Sequence, residues 1–521
     1  MKNLIVCCDG TWDTPEQTTR GIATPSNVVR LHNAVAEKDE AGNDQLEYYH
    51  PGVGTEGHWW QKVAGGALGT GLDQNIMSAY RWLGSHYEDG DKVYAFGFSR
   101  GAFTARSLIG LIGACGLLDL SGLPETDIWP RIEASYNLGY RQRKPKTDWA
   151  SPAWALHRNI GGDVDGSIHF LGVWDTVGAL GIPNDMAIAN LFDDPTRWAF
   201  HDTKLSSAVA NARQALALDE ERASFTPTLW TEIGGRGGVK QLWFPGVHCD
   251  LGGGYPEKEL SDGALKWMLE EAQACGLALH PDMLRQVKPD SLGVLHDSDT
   301  GLYQHLRIQP RSIPNVAAHE NASSLFHKSA LDRHRSPPIA QAPYRATVTL
   351  SPGQSRTVAI YANKHWNHTG IFLEAGASYE FQAAGQWIDR TLKCGPDGVE
   401  SGHFQVTSLK HLLGSFVGDL EKIYKACTHN EKADLAGSRR EETMPWGALV
   451  GAIANGGNPG ADGSPTAHET FPIGSHAQYP ASGDPEAAIS TGGYLLCFVN
   501  DTWYGYGNNR GSLTLTVKRL G

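Results

Sequence analysis

Residues 92–106 read KVYAFGFSRGAFTAR. The run from 93 to 98 is short, apolar and rich in β-branched and aromatic residues, which is typical of a buried strand. After Ser99 the pattern changes to helix formers with spaced apolar positions, which indicates a helix. The stretch therefore predicts a strand that turns sharply into a helix at Ser99.

Two glycines, Gly97 and Gly101, flank this serine and complete the pattern G-x-S-x-G in the strand-turn-helix setting that the motif requires. The glycines let the backbone pass close to its neighbours while the serine occupies a strained turn at the carboxyl end of the sheet. A glycine-rich turn with an incidental serine is the alternative interpretation. The setting favours a nucleophile at Ser99.

Length and composition indicate a globular protein with two domains, because 521 residues exceed the usual size of one hydrophobic core. The net charge of -13 argues against binding to nucleic acid and against adhesion to anionic lipid by charge alone. Eight cysteines in a chain of this length do not form a disulfide framework. The start, MKNLIVCCDGT, has too short an apolar run for a signal peptide, so we expect a cytoplasmic location in the producing cell.

Strands and helices alternate over the first half, which predicts a mostly parallel sheet covered on both faces. The other strands are predicted at 4–8, 46–50, 168–174 and 241–244, and the helices after 26, after 71, over 101–117, over 205–219 and after 261. Residues 118–166 are interpreted as an insertion over the site. The apolar stretch 177–192 either walls a lipid pocket or packs under that insertion. Asp219, Glu220 and Arg222 are interpreted as a structural ion-pair cluster.

Ser99, Asp175 and His248 each lie just past a predicted strand. Open α/β sheets place their catalytic groups at the carboxyl ends of strands. The chain order Ser, Asp, His is also the order that accompanies this type of serine elbow. We therefore predict these three residues as a catalytic triad.

Other residues compete for the histidine and acid roles. His201, in Phe-His-Asp, is the main alternative for the histidine, but it opens a segment with helical character. His248 is preferred because its loop contains the glycines needed to bring an imidazole over the serine. Asp202 and Asp250 are less suited as the acid, because a carboxylate one or two residues from its histidine is poorly placed to meet Nδ1.

The predicted chemistry is nucleophilic attack of Ser99 on an ester carbonyl, with His248 as the base and Asp175 orienting the imidazole. The backbone N–H groups of Arg100, Thr11 and Trp12 are predicted to hold the oxyanion, each worth roughly 3 kcal/mol in the transition state. This step needs no metal.

Four blocks in order, CCDGTW, GFSRGAFTAR, FLGVWDTVGALG and WFPGVHCDLGGGY, resemble the α/β-hydrolase family that contains the type VI secretion lipase effectors. The similarity covers about residues 1–332. It implies phospholipase A activity on a lipid substrate at a transiently contacted membrane surface, with Ser99, Asp175 and His248 as the triad. It also implies export by a type VI-like route, with the secretion machinery and an immunity protein as partners.

The second half begins after a Pro-rich, aperiodic stretch at 333–343, where we place a linker. Beyond it, polar and apolar residues alternate at 347–350, 356–362, 379–383 and 512–517, and glycine and asparagine turns separate these runs. This pattern predicts an all-β sandwich over residues 344–521.

The run NDTWYGYGNNRGS at 500–512 supplies hard oxygen donors around glycine turns, which suits Ca²⁺ better than zinc, with a polar hairpin loop as the alternative. The segment resembles the calcium-dependent galactose-binding lectins of the PA-IL type, which have a jelly-roll sandwich. The resemblance implies a calcium site and a galactose-like sugar ligand. Its predicted calcium ligands are Asp501, Asn508 and Asn509 through their side chains, and Gly505 and Asp389 through backbone oxygens. His403 and Gln405 are predicted near the sugar.

The sequence thus predicts a serine lipase or phospholipase targeted by a sugar-binding domain, and two alternatives stay open. One is a carbohydrate esterase that removes acyl groups from the glycan that the second domain binds. The other is a lectin or structural secretion component whose hydrolase half is inactive.

Overall fold

The computed structural model describes residues 1–10, 18–19, 21–52, 68–162, 164–178, 204–231, 233, 235–298, 307–320, 324–399, 439–460, 465–480 and 489–521. The chain divides into two compact units. The first comprises 1–309, 320–344 and 458–466, and the second comprises 310–319, 345–457 and 467–521. Each unit therefore contains a short segment from the other half of the sequence.

The stretch predicted as a linker, residues 333–343, belongs to the first unit. A helix, Lys328–Arg335, runs into it, and Arg333 is fully buried there. The Arg333 guanidinium donates hydrogen bonds to the carbonyls of Ser291 and Gly293 at 2.6 and 2.9 Å. A buried guanidinium needs such acceptors, so this arginine anchors the Pro-rich stretch to the body of the first unit.

The first unit is built on one six-stranded sheet. Its strands, with the hairpin β2–β3 outside the sheet, are β1 (Asn3–Cys8), β2 (Thr18–Thr19), β3 (Ile22–Ala23), β4 (Gln45–His50), β5 (Lys92–Phe98), β6 (Ile168–Trp174), β7 (Val209–Ala217) and β8 (Val239–Phe244). The strand order is β4-β1-β5-β6-β7-β8, and every pair is parallel.

Helices accompany the sheet. They are α1 (Asn27–His32), α2 (Leu68–His86), α3 (Arg100–Cys115), α4 (Glu125–Ala134), α5 (His248–Gly252), α6 (Glu259–Ala274), α7 (Pro281–Gln286) and α8 (Lys328–Arg335). A π-helix, Ser135–Arg141, continues α4. In the part of the chain that the structure describes, no helix combines the length and apolarity needed to cross a bilayer.

Both faces of the sheet are buried, which explains the continuous apolar runs of its strands. In β1, Leu4 and Val6 join the core cluster that contains α2 and α3, whereas Ile5 and Cys7 join the cluster that contains α1 and α6. Each large side chain buried in this way contributes about 1.5–3 kcal/mol. This arrangement confirms the predicted α/β-hydrolase fold class.

One element differs from the prediction, because β7 (Val209–Ala217) occupies the region predicted as a helix over 205–219. Its sequence, VANARQALA, is rich in helix formers. However, β7 is hydrogen-bonded to β6 on one side and β8 on the other, and its last six residues are buried. Pairing and burial outweigh local propensity here, and the small alanine side chains fit between the two helical layers.

The second unit contains two antiparallel five-stranded sheets, except that β9 pairs parallel to β11. Its strands are β9 (Val348–Thr349), β10 (Ser355–Tyr361), β11 (Asn367–Leu373), β12 (Tyr379–Asp389), β13 (Leu392–Cys394), β14 (Leu449–Ala454), β15 (Glu469–Pro472), β16 (His476–Tyr479), β17 (Gly493–Val499) and β18 (Asn509–Arg519). One sheet has the order β10-β18-β12-β13 with β16 on β12, and the other has β15-β14-β17-β11-β9.

The two sheets of the second unit share one core. Phe381 on β12 and Leu515 on β18 belong to the same buried cluster as Leu373 on β11 and Leu495 on β17. Alternate residues of each strand therefore face the opposite sheet, as in a sandwich. This confirms the predicted all-β class of the second domain.

Candidate active site

The turn between β5 and α3 holds Ser99 in a strained conformation, with φ 57° and ψ -123°. Such a conformation costs a non-glycine residue about 1–3 kcal/mol, and it is a known feature of functional sites. The flanking glycines make the turn sterically possible. A Cβ on Gly97 would lie 2.4 Å from the Gly101 carbonyl oxygen, and a Cβ on Gly101 would lie 2.1 Å from that of Cys8.

We expect Gly101→Ala to destabilise the first unit by about 3 kcal/mol, because the added methyl group meets backbone that cannot move aside. The measurement is urea unfolding followed by near-ultraviolet circular dichroism. Gly263→Ala is the matched control, since Gly263 is also helical and a Cβ there meets nothing within 4 Å. The control is expected to change stability by less than roughly 1 kcal/mol. Equal stability of the two variants would show that the elbow is not closely packed.

Asp175 follows β6, the strand next to β5. The Ser99 N–H donates to the carbonyl oxygen of Trp174 at 3.1 Å, so the ends of the two strands are held side by side. The Asp175 side chain is fully buried, and its Oδ1 accepts a hydrogen bond from the Ala217 N–H at 3.0 Å. Its φ of 40° is a second positive value at this end of the sheet.

His248 is the first residue of α5 (His248–Gly252), so it lies in a short helix and not in the mobile loop that the glycines suggested. Its Nδ1 donates to Oδ2 of Asp175 at 2.6 Å. Nδ1 thus carries the proton in the neutral ring, which leaves Nε2 as an acceptor. Nε2 is buried and has no hydrogen-bond partner among the described residues. The structure therefore brings together Asp175 and His248, but it forms no hydrogen bond between His248 and the Ser99 hydroxyl.

Aromatic rings enclose the imidazole of His248. The ring of Phe98, the residue before Ser99, lies 4.6 Å away between centroids, and Phe225 meets it edge-on at 4.8 Å. Gly252 permits this packing, because a Cβ there would lie 2.0 Å from the Phe98 ring. The histidine therefore packs directly beside the serine turn.

The charge state of His248 is set by opposing influences. Burial is the largest and lowers its pKa, whereas the hydrogen bond and negative charge of Asp175 raise the pKa; the net direction is downward. The positive charge of Arg222 lowers the pKa further, and the negative charge of Glu220 opposes it. The imidazole is consequently neutral near pH 7, as a general base must be.

The predicted ion-pair cluster is formed in part. Arg222 donates to both carboxylate oxygens of Glu220 at 2.8 Å, and both side chains are buried. Asp219 instead accepts hydrogen bonds from the Gly246 N–H and the Tyr344 hydroxyl, each at 2.7 Å. One contact of this cluster was not predicted: the backbone N–H of His248 donates to Glu220 at 3.2 Å.

The residues that competed for the histidine and acid roles make no hydrogen bond with the Asp175–His248 pair where the structure describes them. Asp250 accepts from Nδ1 of His296 at 2.6 Å, so its carboxylate pairs with a different histidine. His201 and Asp202 lie outside the described residues. In the described part of the chain, Asp175 is the carboxylate paired with the His248 ring.

Of the predicted oxyanion donors, Arg100 is the first residue of α3. The N–H groups in the first turn of a helix have no carbonyl partner within the helix, and the positive end of the helix dipole favours a developing negative charge there. Thr11 and Trp12 lie outside the described residues.

Asp9, directly after β1, is a buried carboxylate that was not among the predicted site residues. It accepts hydrogen bonds from the Ser26 hydroxyl at 2.7 Å, the Tyr49 hydroxyl at 2.8 Å and the Gly10 N–H at 2.8 Å. Burial raises its pKa even though these three bonds oppose the effect. Its position in the motif DGT, directly after a buried strand, was the available signal.

The predicted calcium ligands of the second unit come together at the end of β17 and the start of β18. Oδ2 of Asp501 accepts from the Asn509 amide at 2.9 Å, and Asp389 lies opposite Asn509 in the register of β12 with β18. The Oδ1 atoms of Asn508 and Asn509 are buried without a hydrogen-bond partner among the described residues. A Cβ on Gly505 would lie 2.7 Å from Oδ1 of Asp501, so its backbone is close to this carboxylate.

Asp501 is a buried carboxylate in this cluster. Burial, followed by the negative charge of Asp389, raises the pKa of Asp501 to about 6. Within the described residues, no group of three or more His, Cys, Asp and Glu side chains could hold a metal ion. The cluster around Asp501 is of another kind, because it combines carboxylates with amide oxygens. Hard oxygen donors of this kind are the usual calcium ligands. The predicted sugar contacts, His403 and Gln405, lie outside the described residues.

Comparison with known proteins shows one relative with clear sequence similarity. An uncharacterized protein of Saccharomyces cerevisiae is 31% identical over 253 residues, which cover 44% of this chain and 33% of that protein. This chain thus spans about a third of the relative's length.

Two solved structures are more distant. The structure of the Tle1 effector bound to the VgrG spike from the type VI secretion system has 15% identity and a TM-score of 0.34, over 56% of this chain and 76% of that one. The EclA N-terminal domain, a PllA-like lectin, has 15% identity and a TM-score of 0.18, over 31% of this chain and 94% of that one. Both TM-scores are too low to support a conclusion about this chain.

The family model described as the catalytic domain of Tle1-like phospholipase effectors of the type VI secretion system matches residues 2–271. This range covers more than half of the 521 residues and includes Ser99, Asp175 and His248. The chain therefore belongs to the Tle1-like family of type VI secretion phospholipase effectors.

Proposed function

We propose that the first unit is a serine esterase that hydrolyses acyl esters of membrane phospholipids, as a phospholipase A. One observation carries the mechanism: Nδ1 of His248 is bonded to buried Asp175, while its Nε2 is buried without a partner among the described residues and the ring packs beside the strained Ser99 turn. A buried nitrogen acceptor without a hydrogen-bond partner costs about 1–3 kcal/mol of folding free energy. Such a group in a native structure calls for an explanation, and a catalytic role is one. The proposed role is to take the proton of the Ser99 hydroxyl.

In the proposed reaction, Oγ of Ser99 attacks the ester carbonyl carbon, and its proton passes to Nε2 of His248. The negative charge on the carbonyl oxygen is stabilised at the N-terminus of α3, with Arg100 as one donor. The C–O bond to the alcohol then breaks, and the alcohol leaves with the proton from Nε2. A water molecule hydrolyses the acyl-serine by the same steps, which releases the fatty acid.

Asp175 has a distinct role in this proposal. Its short bond to Nδ1 fixes the tautomer and stabilises the imidazolium that forms during attack. The Ala217 N–H holds the other oxygen of Asp175, so the carboxylate cannot rotate without losing a buried bond. Because burial lowers the pKa of His248, the base is in its active, neutral form at neutral pH.

Membership of the Tle1-like family supports phospholipid as the substrate and type VI secretion as the route of export. The secretion machinery and an immunity protein are the partners proposed with this route. The test of the substrate is fatty-acid release from phosphatidylethanolamine and phosphatidylglycerol vesicles, measured beside the hydrolysis of p-nitrophenyl butyrate and of acetylated galactosides. Release from vesicles supports the phospholipase. Hydrolysis of acetylated sugars without fatty-acid release would instead establish the carbohydrate esterase, and no turnover of any ester would leave a binding or structural role.

We further propose that the second unit binds a galactose-like sugar through calcium and so targets the enzyme to glycan-bearing surfaces. The two unpaired Asn oxygens and the carboxylate of Asp501 fit a hard divalent cation, with backbone oxygens of Gly505 and Asp389 as the other proposed ligands. Calcium held there would supply coordination for sugar hydroxyls. A second binding site on one chain raises the local concentration of enzyme without changing its chemistry.

Calcium is expected to raise the thermal stability of the second unit at pH 8 and to have little effect at pH 5. The pKa of Asp501 lies at about 6 in the folded state, above the ordinary 3.8, so without calcium its contribution to stability is lost as pH rises through this window. Calcium offsets that loss by binding the ionised carboxylate. At about 100 times Kd it contributes roughly 2.7 kcal/mol, which scanning calorimetry with calcium or chelator detects.

Asp501→Asn is expected to abolish this calcium response. Asp397→Asn is the matched control and is expected to keep the calcium response. Asp397 accepts a hydrogen bond from the Ser475 N–H in the same unit and is not one of the predicted calcium ligands. A calcium response that persists in Asp501→Asn, or that is absent from the natural protein at pH 8, would exclude the proposed site.

A further inference from the structure

We propose that Glu220 and Arg222 are positioning residues for His248, which together anchor the start of its helix and balance the charge around its ring. This inference rests on the proposed function of the same site. Neither residue belongs to the predicted triad, and the sequence alone suggested only a structural ion pair.

The geometry ties Glu220 to the histidine directly. Its Oε2 accepts the backbone N–H of His248 at 3.2 Å and also a bond from Arg222, while its Oε1 accepts the hydroxyl of Ser298 at 2.9 Å. Glu220 is 1% exposed. A buried carboxylate that accepts this many hydrogen bonds cannot rotate without breaking some of them, so its orientation is fixed. Glu220 therefore fixes the point at which α5 begins and thereby the position of the imidazole.

Arg222 is linked to the His248 ring through Phe225. Its guanidinium lies 3.6 Å from the centroid of the Phe225 ring, and Phe225 in turn meets the His248 ring edge-on at 4.8 Å. The backbone N–H and the side chain of Arg222 both donate to Glu220. The pair thus contacts the backbone of His248 directly and its ring by way of Phe225.

The charged groups around His248 come from each element packed against it. Asp175 at the end of β6 bonds Nδ1, and Glu220 and Arg222 follow β7. Asp250 on α5 itself is paired with His296, whose Nε2 also contacts Glu257 at 3.3 Å. Glu220 and Arg222 act on the charge of the ring in opposite directions, since Glu220 favours the imidazolium and Arg222 disfavours it.

This opposition gives a test that separates positioning from mere structural support. We expect the acid limb of kcat/KM for p-nitrophenyl butyrate, measured from about pH 4 to about pH 9, to report the ionisation of His248. Glu220→Gln removes a negative charge that favours the imidazolium and keeps Arg222, which disfavours it, so the midpoint of the limb is expected to move to lower pH by roughly half a unit or more. Arg222→Gln is expected to move the midpoint to higher pH by a similar amount. The double variant is expected to return close to the natural midpoint.

Two further variants serve as controls. Glu220→Asp keeps the charge but withdraws the carboxylate, so it is expected to lower kcat with an unchanged midpoint. Glu271→Gln breaks another glutamate-arginine pair of the first unit, in which Oε2 of Glu271 accepts from Arg213 at 2.6 Å. This pair does not contact His248, so the variant is expected to leave the midpoint unchanged. A midpoint does not depend on the amount of folded enzyme, so a partial loss of folding in a variant does not obscure the comparison.

Midpoints that stay the same in Glu220→Gln and Arg222→Gln, or that move in the same direction, would overturn the inference. The same titration of the His248 ring, followed by nitrogen-15 NMR, gives the result without turnover. If the natural protein hydrolyses no ester, the proposed function fails, yet opposite shifts in the NMR titration still support the role of this pair. If the natural protein is active and the shifts are absent, only the positioning role fails.

Discussion

Replacing Ser99 by alanine is expected to lower kcat by roughly 10⁶-fold on any ester that the protein hydrolyses. The variant keeps the turn and its hydrogen bonds, because these are made by the backbone: the Ser99 N–H donates to the Trp174 carbonyl, and the Ser99 carbonyl accepts from the N–H groups of Ala102 and Phe103 in α3. It loses only the proposed nucleophile. We also expect little change in Tm, since both serine and alanine pay the same cost for the positive φ at this position.

Ser107→Ala is the matched control for Ser99→Ala. Ser107 is also buried and lies in the same helix, α3, away from the serine turn. The control is expected to retain activity within a few-fold. Ester hydrolysis by purified Ser99→Ala at a rate near that of the natural protein would exclude Ser99 as the nucleophile and would favour a different catalytic group in the first unit.

Replacing Asp175 by asparagine is expected to lower kcat by about 10⁴-fold, the second largest effect. Asparagine has one acceptor oxygen where aspartate has two. If that oxygen keeps the bond from the Ala217 N–H, the group that faces Nδ1 is the amide NH2, which donates and cannot accept from Nδ1–H. His248 then adopts the other tautomer, with its proton on Nε2, and can no longer take the serine proton. The measurement is kcat together with the low-field proton resonance of Nδ1–H, which is expected to disappear.

Asp91→Asn provides the comparison for Asp175→Asn. Asp91 is a buried aspartate of the same unit that accepts a bond from the Lys2 N–H at 2.6 Å. It precedes β5, so it lies at the opposite end of that strand from Ser99. This variant is expected to lose stability but to keep kcat. Full activity in Asp175→Asn would show that the short bond to His248 has a structural role and that the acid of the triad lies elsewhere.

The parts of the site that depend on local sequence could be predicted. The serine turn is encoded within a few residues, since Gly97 and Gly101 are needed where a Cβ would collide with backbone. The strand ends that carry Asp175 and His248 follow from apolar runs that break at polar residues. In a parallel sheet such ends meet at one edge, so the pairing of Asp175 with His248 followed from the fold class.

Features that depend on tertiary contacts could not be predicted. The sequence of β7 favours a helix, and only its pairing with two neighbouring strands makes it a strand. The short helix that begins at His248 is held by Glu220, a residue 28 positions earlier in the chain. Residues 310–319 belong to the second unit and residues 458–466 to the first, although their sequence neighbours belong to the other unit. No change in composition marks these two segments.

In the second unit, alternation of polar and apolar residues indicated the all-β class through strands such as β12 and β18, which bury one face in the shared core. β14 does not alternate, because it is buried on both faces. The cluster around Asp501 was predicted from a resemblance, and the unpaired oxygens of Asn508 and Asn509 give a physical reason to test it. The residues predicted at the sugar and two of the three oxyanion donors lie outside the described residues.

Labelling with a fluorophosphonate probe, which reacts with activated serines, shows directly whether Ser99 is a nucleophile activated by His248. We expect a single adduct on the peptide that contains Ser99, as found by mass spectrometry of the digested protein. We also expect no adduct in Ser99→Ala and strongly slowed labelling in His248→Ala. A folded natural protein that stays unlabelled, or an adduct on another residue, would contradict this role of Ser99.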